Sequence, residues 1–193
     1  MKILAVDVET GGLDPKQHSL LEAAFIAYDG IKRRTLRVLF PQESYCVEPI
    51  PAVMHAKNGL WDELQTYQDY RSIDAAIDGV NEQIHEETTL YICGTGRLSE
   101  ALFFWLGNRP KDWTVIGKNA GTFDIPFLIP RLSWEFFSRR VIDVGTLYLR
   151  HDDEKIPNFQ ECLMRAGLPE QTSHRALDDC HRTLHLYDSS RTR

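Results

Sequence analysis

Cysteine is scarce and never paired in sequence: Cys46, Cys93, Cys162 and Cys180 are scattered, with no CxxC spacing. That excludes a dense disulfide framework and argues against a thiolate zinc site, leaving free thiols of a reducing compartment as the expectation. No apolar run approaches the roughly 20 residues that cross a membrane. Repeats and low-complexity linkers are missing too, and a strand-like segment begins at Met1, so we expect no signal peptide and a cytoplasmic location. With 193 residues, 42% of them hydrophobic, the chain is long enough for one domain with a sizeable core. A basic excess is also lacking. The net charge of −6 argues on its face against a phosphate-rich partner. That objection weakens where carboxylates hold divalent cations, which invert the local field.

What is present reads as mixed α and β. Apolar segments 3–8, 19–28 and 34–40 predict three strands of a meander, with turn residues at Gly11-Gly12, Asp14-Pro15 and Asp29-Gly30. Pro49 and Pro51 precede a short helical stretch over 52–57. Ile73, Ala76, Ile77, Val80 and Ile84 stand at helical spacing, which predicts an amphipathic helix over 72–86. A short strand at 90–93, a helix at 99–107, a strand at 114–118 and a helix over 125–134 follow. Short apolar pieces at 140–144 and 146–149 precede two closing helices, about 158–166 and 175–190. Strands first and then alternating elements point to one α/β domain covering 1–193.

Three fragments carry chemistry. Asp7 and Glu9 are two apart in a strand, so both project from one face while Leu4, Val6 and Val8 point the other way. Side by side they repel unless a cation sits between them, although a solvated pair at a strand edge is the plainer reading of the pair alone. Asp124 follows a small-residue loop, Gly117 to Phe123, and for a lone aspartate there a helix N-cap is the ordinary role, with Pro126 in the first turn. The third fragment is His174-Arg175-Ala176-Leu177-Asp178-Asp179. Five helical residues turn through about 500°, so His174 and Asp179 cannot share a helix face. His174 therefore belongs to the loop before the helix. Ala176, Cys180, Leu184 and Tyr187 make the apolar face, with Asp179 beside it, while Asp178, Arg175 and Arg182 fall on the polar face. A carboxylate on the inward side needs a partner, and a metal would supply one.

Together these residues, Asp7, Glu9, Asp124, His174 and Asp179, resemble in order and context the DEDDh exonuclease family, from DVET at 7–10 to HRALDD at 174–179. The resemblance implies a ribonuclease H-like fold, a mixed central β-sheet flanked by helices. Within the family the chain is most similar to the oligoribonucleases, with ribonuclease T and the polymerase proofreading domains nearby. Asn119 stands five before Asp124, Leu13 four after Glu9 matches a wedge against the terminal base, and His55 to Leu60 resembles the HxxxGL segment. Asp143 matches a further acidic position. Oligoribonucleases close off the 5′ phosphate with a histidine, an arginine and two serines. His55 and Arg140 match, but Ala120 and Gly145 stand at the serine positions and Arg139 replaces a tyrosine, so longer single strands are expected to enter.

The implied activity is metal-dependent 3′→5′ hydrolysis of DNA or short RNA, releasing nucleoside 5′-monophosphates. Asp7, Glu9, Asp124 and Asp179 would hold two divalent cations, and all-oxygen ligands suit Mg²⁺ or Mn²⁺. Two such ions about 3.5–4 Å apart activate water and steady the leaving oxygen, and His174 would take the water's proton. Thr10, Leu13, His55, Asn119, Phe123 and Arg140 are the expected substrate contacts. Leu13 and Phe123 would stack on bases, with ordinary packing an equal account of Phe123. Lys118, Arg139, Arg191 and Arg193 are further phosphate candidates; Trp61, Trp105, Trp113 and Trp134 read as core or dimer contacts. The resemblance also implies a homodimer. Alternatives remain a proofreading exonuclease of a DNA replication complex, a catalytically inactive nucleic-acid or protein interaction module, and an endonuclease of the ribonuclease H type.

Overall fold

The computed structural model describes residues 1–81, 86–94, 97–107, 110–132, 136–170 and 173–192. The first three strands form the expected meander: β1 (Ile3–Thr10), β2 (Leu20–Tyr28) and β3 (Arg33–Leu39). Asp29 closes the second turn by accepting the backbone N–H groups of Ile31 and Lys32. Next come α1 (Pro49–Lys57) and α2 (Leu60–Thr66), joined through Gly59, whose φ of 77° a residue with a Cβ seldom adopts.

Here the structure corrects a sequence expectation. Residues 74–81 do not form a helix: β4 (Asp74–Asn81) pairs antiparallel with β5 (Glu86–Cys93), from Asp74 opposite Cys93 to Asn81 opposite Glu86. β5 also lies parallel to β3, which extends the sheet outward. Helical spacing of a few apolar residues is a local signal, and the backbone pairing offered by the neighbouring strand overrides it. Ile84 lies outside the described residues.

The chain continues with α3 (Leu98–Leu106), β6 (Thr114–Gly117), α4 (Asp124–Leu128), β7 (Val141–Asp143), α5 (Val144–Leu147), α6 (Phe159–Ala166) and α7 (Ala176–Ser190). α4 is shorter than the expected 125–134 helix, ending at Leu128 before a turn; Trp134 lies outside the described residues. A seven-stranded mixed sheet results, in the order β4-β5-β3-β2-β1-β6-β7. β1 is an interior strand, antiparallel to β2 and parallel to β6.

Side-chain alternation along β1 divides the core. Leu4, Val6 and Val8 join Phe25, Leu102, Phe127 and Leu128 on one face. Ile3 and Ala5 join Ala24, Cys162, Leu163, Cys180 and Leu184 on the other, beneath α6 and α7. Ala176, Cys180, Leu184 and Tyr187 are all buried, as their spacing requires. A third cluster, Leu21, Leu39, Leu60, Leu64 and Ile92, lies under α2. Trp113 is buried, and Trp61 and Trp105 pack against these clusters. Cys93, Cys162 and Cys180 are buried free thiols; Cys46 is exposed.

Candidate active site

The same alternation that sends Leu4, Val6 and Val8 into one core layer sends Asp7 and Glu9 toward α7, past Ile3 and Ala5. α7 crosses this face with Asp179 in its first turn, so a residue 170 positions from Glu9 meets it. One carboxylate oxygen from each of Asp7, Glu9 and Asp179 lies within 4.8 Å of the other two. Glu9 is buried, and the others are partly buried. Asp179 Oδ1 is out of reach of solvent and accepts no hydrogen bond.

Asp124 approaches from the opposite loop. It is 2% exposed, and its Oδ1 accepts the Val8 N–H at 2.9 Å. A strand amide next to Asp7 thus anchors the first turn of α4. Loop 118–123 is fixed by Asp143, which accepts the Asn119 N–H at 2.8 Å and the Gly145 N–H at 2.7 Å, capping α5. Asn119 takes a φ of 59°.

The electrostatics are those of crowded, undercompensated carboxylates. Burial, then the charges of Asp124, Glu9 and Asp179, push the Asp7 carboxyl well above the usual carboxylate range. Burial and then Glu22 and Asp179 do the same to Glu9, with Arg175 opposing. Burial lifts Asp124 to about 7 against the Val8 hydrogen bond. Asp179 rises to about 6, again mainly through burial, against the pull of Arg182 and His174. A cation is the charge this group lacks, and the all-oxygen donor set with an orphaned Asp179 oxygen fits a hard divalent ion.

His174 stands in the loop before α7, exposed, with a φ of 51°. Together with Asp7 and Asp179 it lines a cavity of about 390 Å³, whose other walls are Lys118, Asn158, Phe159 and Gln160. The last three come from the start of α6, where Asn158 and Glu161 form a reciprocal cap. Nothing in the sequence reading pointed to this wall. A capping box preceding an apolar helix marks a helix start, not what the start faces.

The expected substrate contacts are dispersed. Leu13 projects into solvent at 77% exposure. Thr10 is buried, its hydroxyl donating to the Gly12 carbonyl at 2.7 Å. Phe123 packs on Phe127 with ring centroids 5.3 Å apart, and Arg140 is exposed at the entry to β7. Asn119 is exposed, its Oδ1 accepting from Lys118 Nζ at 2.7 Å. His55 is fully buried, with Nε2 3.0 Å from the Thr10 carbonyl and 3.9 Å from Glu9. A serine cannot simply be restored at 145. A Cβ there would sit 2.6 Å from Ile156 Cγ2 and 3.0 Å from the Pro157 carbonyl oxygen.

Sequence reasoning also overlooked Glu22. It faces Glu9 across the β1–β2 ladder and is fully buried. Arg37 and Arg175 both pair with it, and both also reach Glu63. Arg175 is therefore not on the open polar face of α7 but turned into this network. The signal was a single acid inside the apolar run LLEAAFIA, a residue that is rarely buried unless paired.

No protein-family model matches the sequence, nor does any curated protein. Solved structures do match over the whole chain. A zinc-bound E. coli exonuclease I–ssDNA complex aligns at a TM-score of 0.61 and 18% identity, over 41% of that chain. E. coli exonuclease I with a dA16 oligonucleotide aligns at 0.60 and 15%, again over 41% of its length. An exonuclease I structure described as suggesting how processivity is achieved gives 0.62 and 15%, also over 41%. The chain thus spans about two fifths of the length of these proteins. At such identities the likeness establishes the fold: the ribonuclease H-like α/β fold that this chain shares with E. coli exonuclease I.

Proposed function

We propose that residues 1–193 act as one metal-dependent 3′→5′ exonuclease domain on single-stranded nucleic acid. The observation that carries the reading is the convergence of Asp7, Glu9 and Asp179 beside buried Asp124, with His174 on the wall of the same cavity. The likeness to a fold seen with single-stranded DNA supports it.

Asp7, Glu9 and Asp179 would hold one Mg²⁺ or Mn²⁺, and Asp7 with Asp124 a second. When bound, such ions polarise the scissile phosphate and lower the pKa of the attacking water. His174 accepts the water's proton from its loop, a role that the imidazole side chain suits. Lys118, which lines the same cavity, would offer a cation to the phosphate. The exposed Leu13 and the partly buried Phe123 present apolar surfaces to the terminal bases, a sequence-tolerant mode of binding. With Ala120 buried and Gly145 closely hemmed in, nothing at those two positions supplies hydroxyls to cap a 5′ phosphate, which favours strands longer than dinucleotides. Single-stranded DNA is the first substrate to try, RNA the second, and the homodimer belongs to the same proposal. Among the described residues no helix is long and apolar enough to cross a membrane.

The test is degradation of 5′-labelled DNA and RNA, from dinucleotides to twenty-mers, with Mn²⁺ or with EDTA, by the wild type and by His174→Ala. A metal-dependent ladder shortening from the 3′ end, lost in the variant, supports the enzyme. A wild type that binds the strands but cleaves none with Mn²⁺ present replaces it with an interaction module.

A further inference from the structure

The loop that carries His174 is held by an interlock reaching well beyond the carboxylate cluster. Asn58, which caps the C-terminus of α1, donates from Nδ2 to the His174 carbonyl. Arg175, the next residue, donates from Nη1 back to the Asn58 carbonyl at 3.3 Å. Two adjacent residues are thus clasped reciprocally by one. Arg175 also donates from Nε to Glu22 Oε2 at 3.2 Å and from Nη2 to Glu63 Oε2 at 2.5 Å. Glu22 Oε2 accepts the Ala176 N–H at 3.3 Å, so it caps the first turn of α7, which has no side-chain cap from Arg175. Arg37 completes the set, pairing with both Glu22 and Glu63.

The consequence falls on one backbone segment. His174 has a φ of 51°, a region that non-glycine residues occupy only when their surroundings hold them there. Its carbonyl, the following side chain and the amide after that are each tied down, by α1, β2 and α2. Only a planar guanidinium has enough donors in fixed directions to reach Glu22, Glu63 and the Asn58 carbonyl together; a lysine ammonium does not.

We propose that Arg175, braced by Glu22, Glu63 and Asn58, is a positioning residue that sets the His174 imidazole against the Asp7 and Asp179 side of the cavity. The proposal rests on the reading of His174 as the proton acceptor. It gives the His55–Leu60 segment a part in the site: Asn58 and Gly59 shape the turn whose carbonyl and side chain grip the histidine loop. A lost support of this kind costs about 10–100-fold in activity while the metal ligands stay in place.

The decisive comparison is Arg175→Lys and Glu63→Gln in the wild-type and His174→Ala backgrounds, with Mn²⁺ affinity measured by calorimetry. Expected is a fall in kcat of about 30-fold for Arg175→Lys, with KM and Mn²⁺ affinity within about twofold of wild type. In the His174→Ala background the same substitution should cost nothing further. Losses that multiply in the double variant overturn the proposal, as does a loss confined to Mn²⁺ affinity. A readout independent of turnover separates this idea from the nuclease reading. In protein labelled with ¹³C-histidine, Arg175→Lys and Glu63→Gln should broaden or shift the His174 ring signals and leave those of buried His55 in place. Unchanged His174 signals overturn the interlock even if the enzyme is active; shifted signals in a chain that cleaves nothing sink the nuclease reading alone.

Discussion

Two charged groups lie side by side on one face of the sheet, Glu9 and Glu22 being register partners, and they are built on opposite plans. Around Glu22 the ledger of charge balances: two glutamates and two arginines, with Arg37 and Arg175 each contacting both acids. Around Glu9 it does not. Asp7, Glu9, Asp124 and Asp179 all have carboxyls raised by burial, and the charges of the others add to this for Asp7 and Glu9. A fold able to place two arginines beside one buried acid leaves its neighbours uncompensated. Cross-strand like charges are destabilising, so the imbalance marks where a mobile cation belongs, while the balanced group is permanent scaffolding.

The sharpest way to break the comparison is to remove charge from each group in turn. Asp7→Asn should lower kcat by at least about 10³-fold in single-turnover cleavage, because the proposed function makes Asp7 a metal ligand. Asp124→Asn should instead stabilise the metal-free protein at pH 8 by about 1 kcal/mol in urea melts, since an unfavourable buried charge disappears. Unequal signs are the point. Arg37→Met, in the balanced group, should destabilise by about 3 kcal/mol, having left Glu22 and Glu63 short of a partner.

Proton linkage provides a gentler probe. Asp124 titrates at about 7 in the folded chain, above its ordinary carboxylate value of 3.8. Between those values the folded state binds more protons than the unfolded one, so without metal this contribution to stability is full at low pH and is lost as pH rises through 7. Thermal melts in EDTA should therefore show a lower Tm at pH 8 than at pH 5. At pH 8, Mn²⁺ at a hundredfold its Kd should add about 2.7 kcal/mol, a rise of roughly 5–10 °C. A metal-free protein that is as stable at pH 8 as at pH 5 would remove the case for uncompensated charge. Outside both groups, Gly145→Ser should cost about 2 kcal/mol in urea melts from forcing a Cβ between Ile156 and Pro157.

Much of this was legible in the sequence where the signal is local. Alternation in ILAVDVET set both the strand and the side on which Asp7 and Glu9 emerge, and the helical arithmetic put His174 before α7 and Asp179 in it. The β4–β5 hairpin was not legible, because apolar spacing at 73–80 fits a helix as well and the deciding partner strand lies outside the window. The balanced network was hidden for the same reason at longer range. Arg175 reaches acids 153 and 112 positions away, and no local pattern encodes such a meeting. The α6 wall of the cavity was missed because a helix start announces its cap and not its neighbour.

The place of β1 inside the sheet, between β2 and β6, bears on how the molecule comes to be made. Its flank toward β6 stays open until residues 114–117 exist, and the Val8 amide waits for Asp124, 116 positions on. Asp179 and His174 arrive later still. During synthesis the meander can form early, but nothing able to grip a metal between strand and helix exists until almost the whole described chain has emerged. Any cutting activity is thereby deferred to the finished fold: an emerging chain, still beside the RNA that encodes it, carries two acids of the set and lacks the rest.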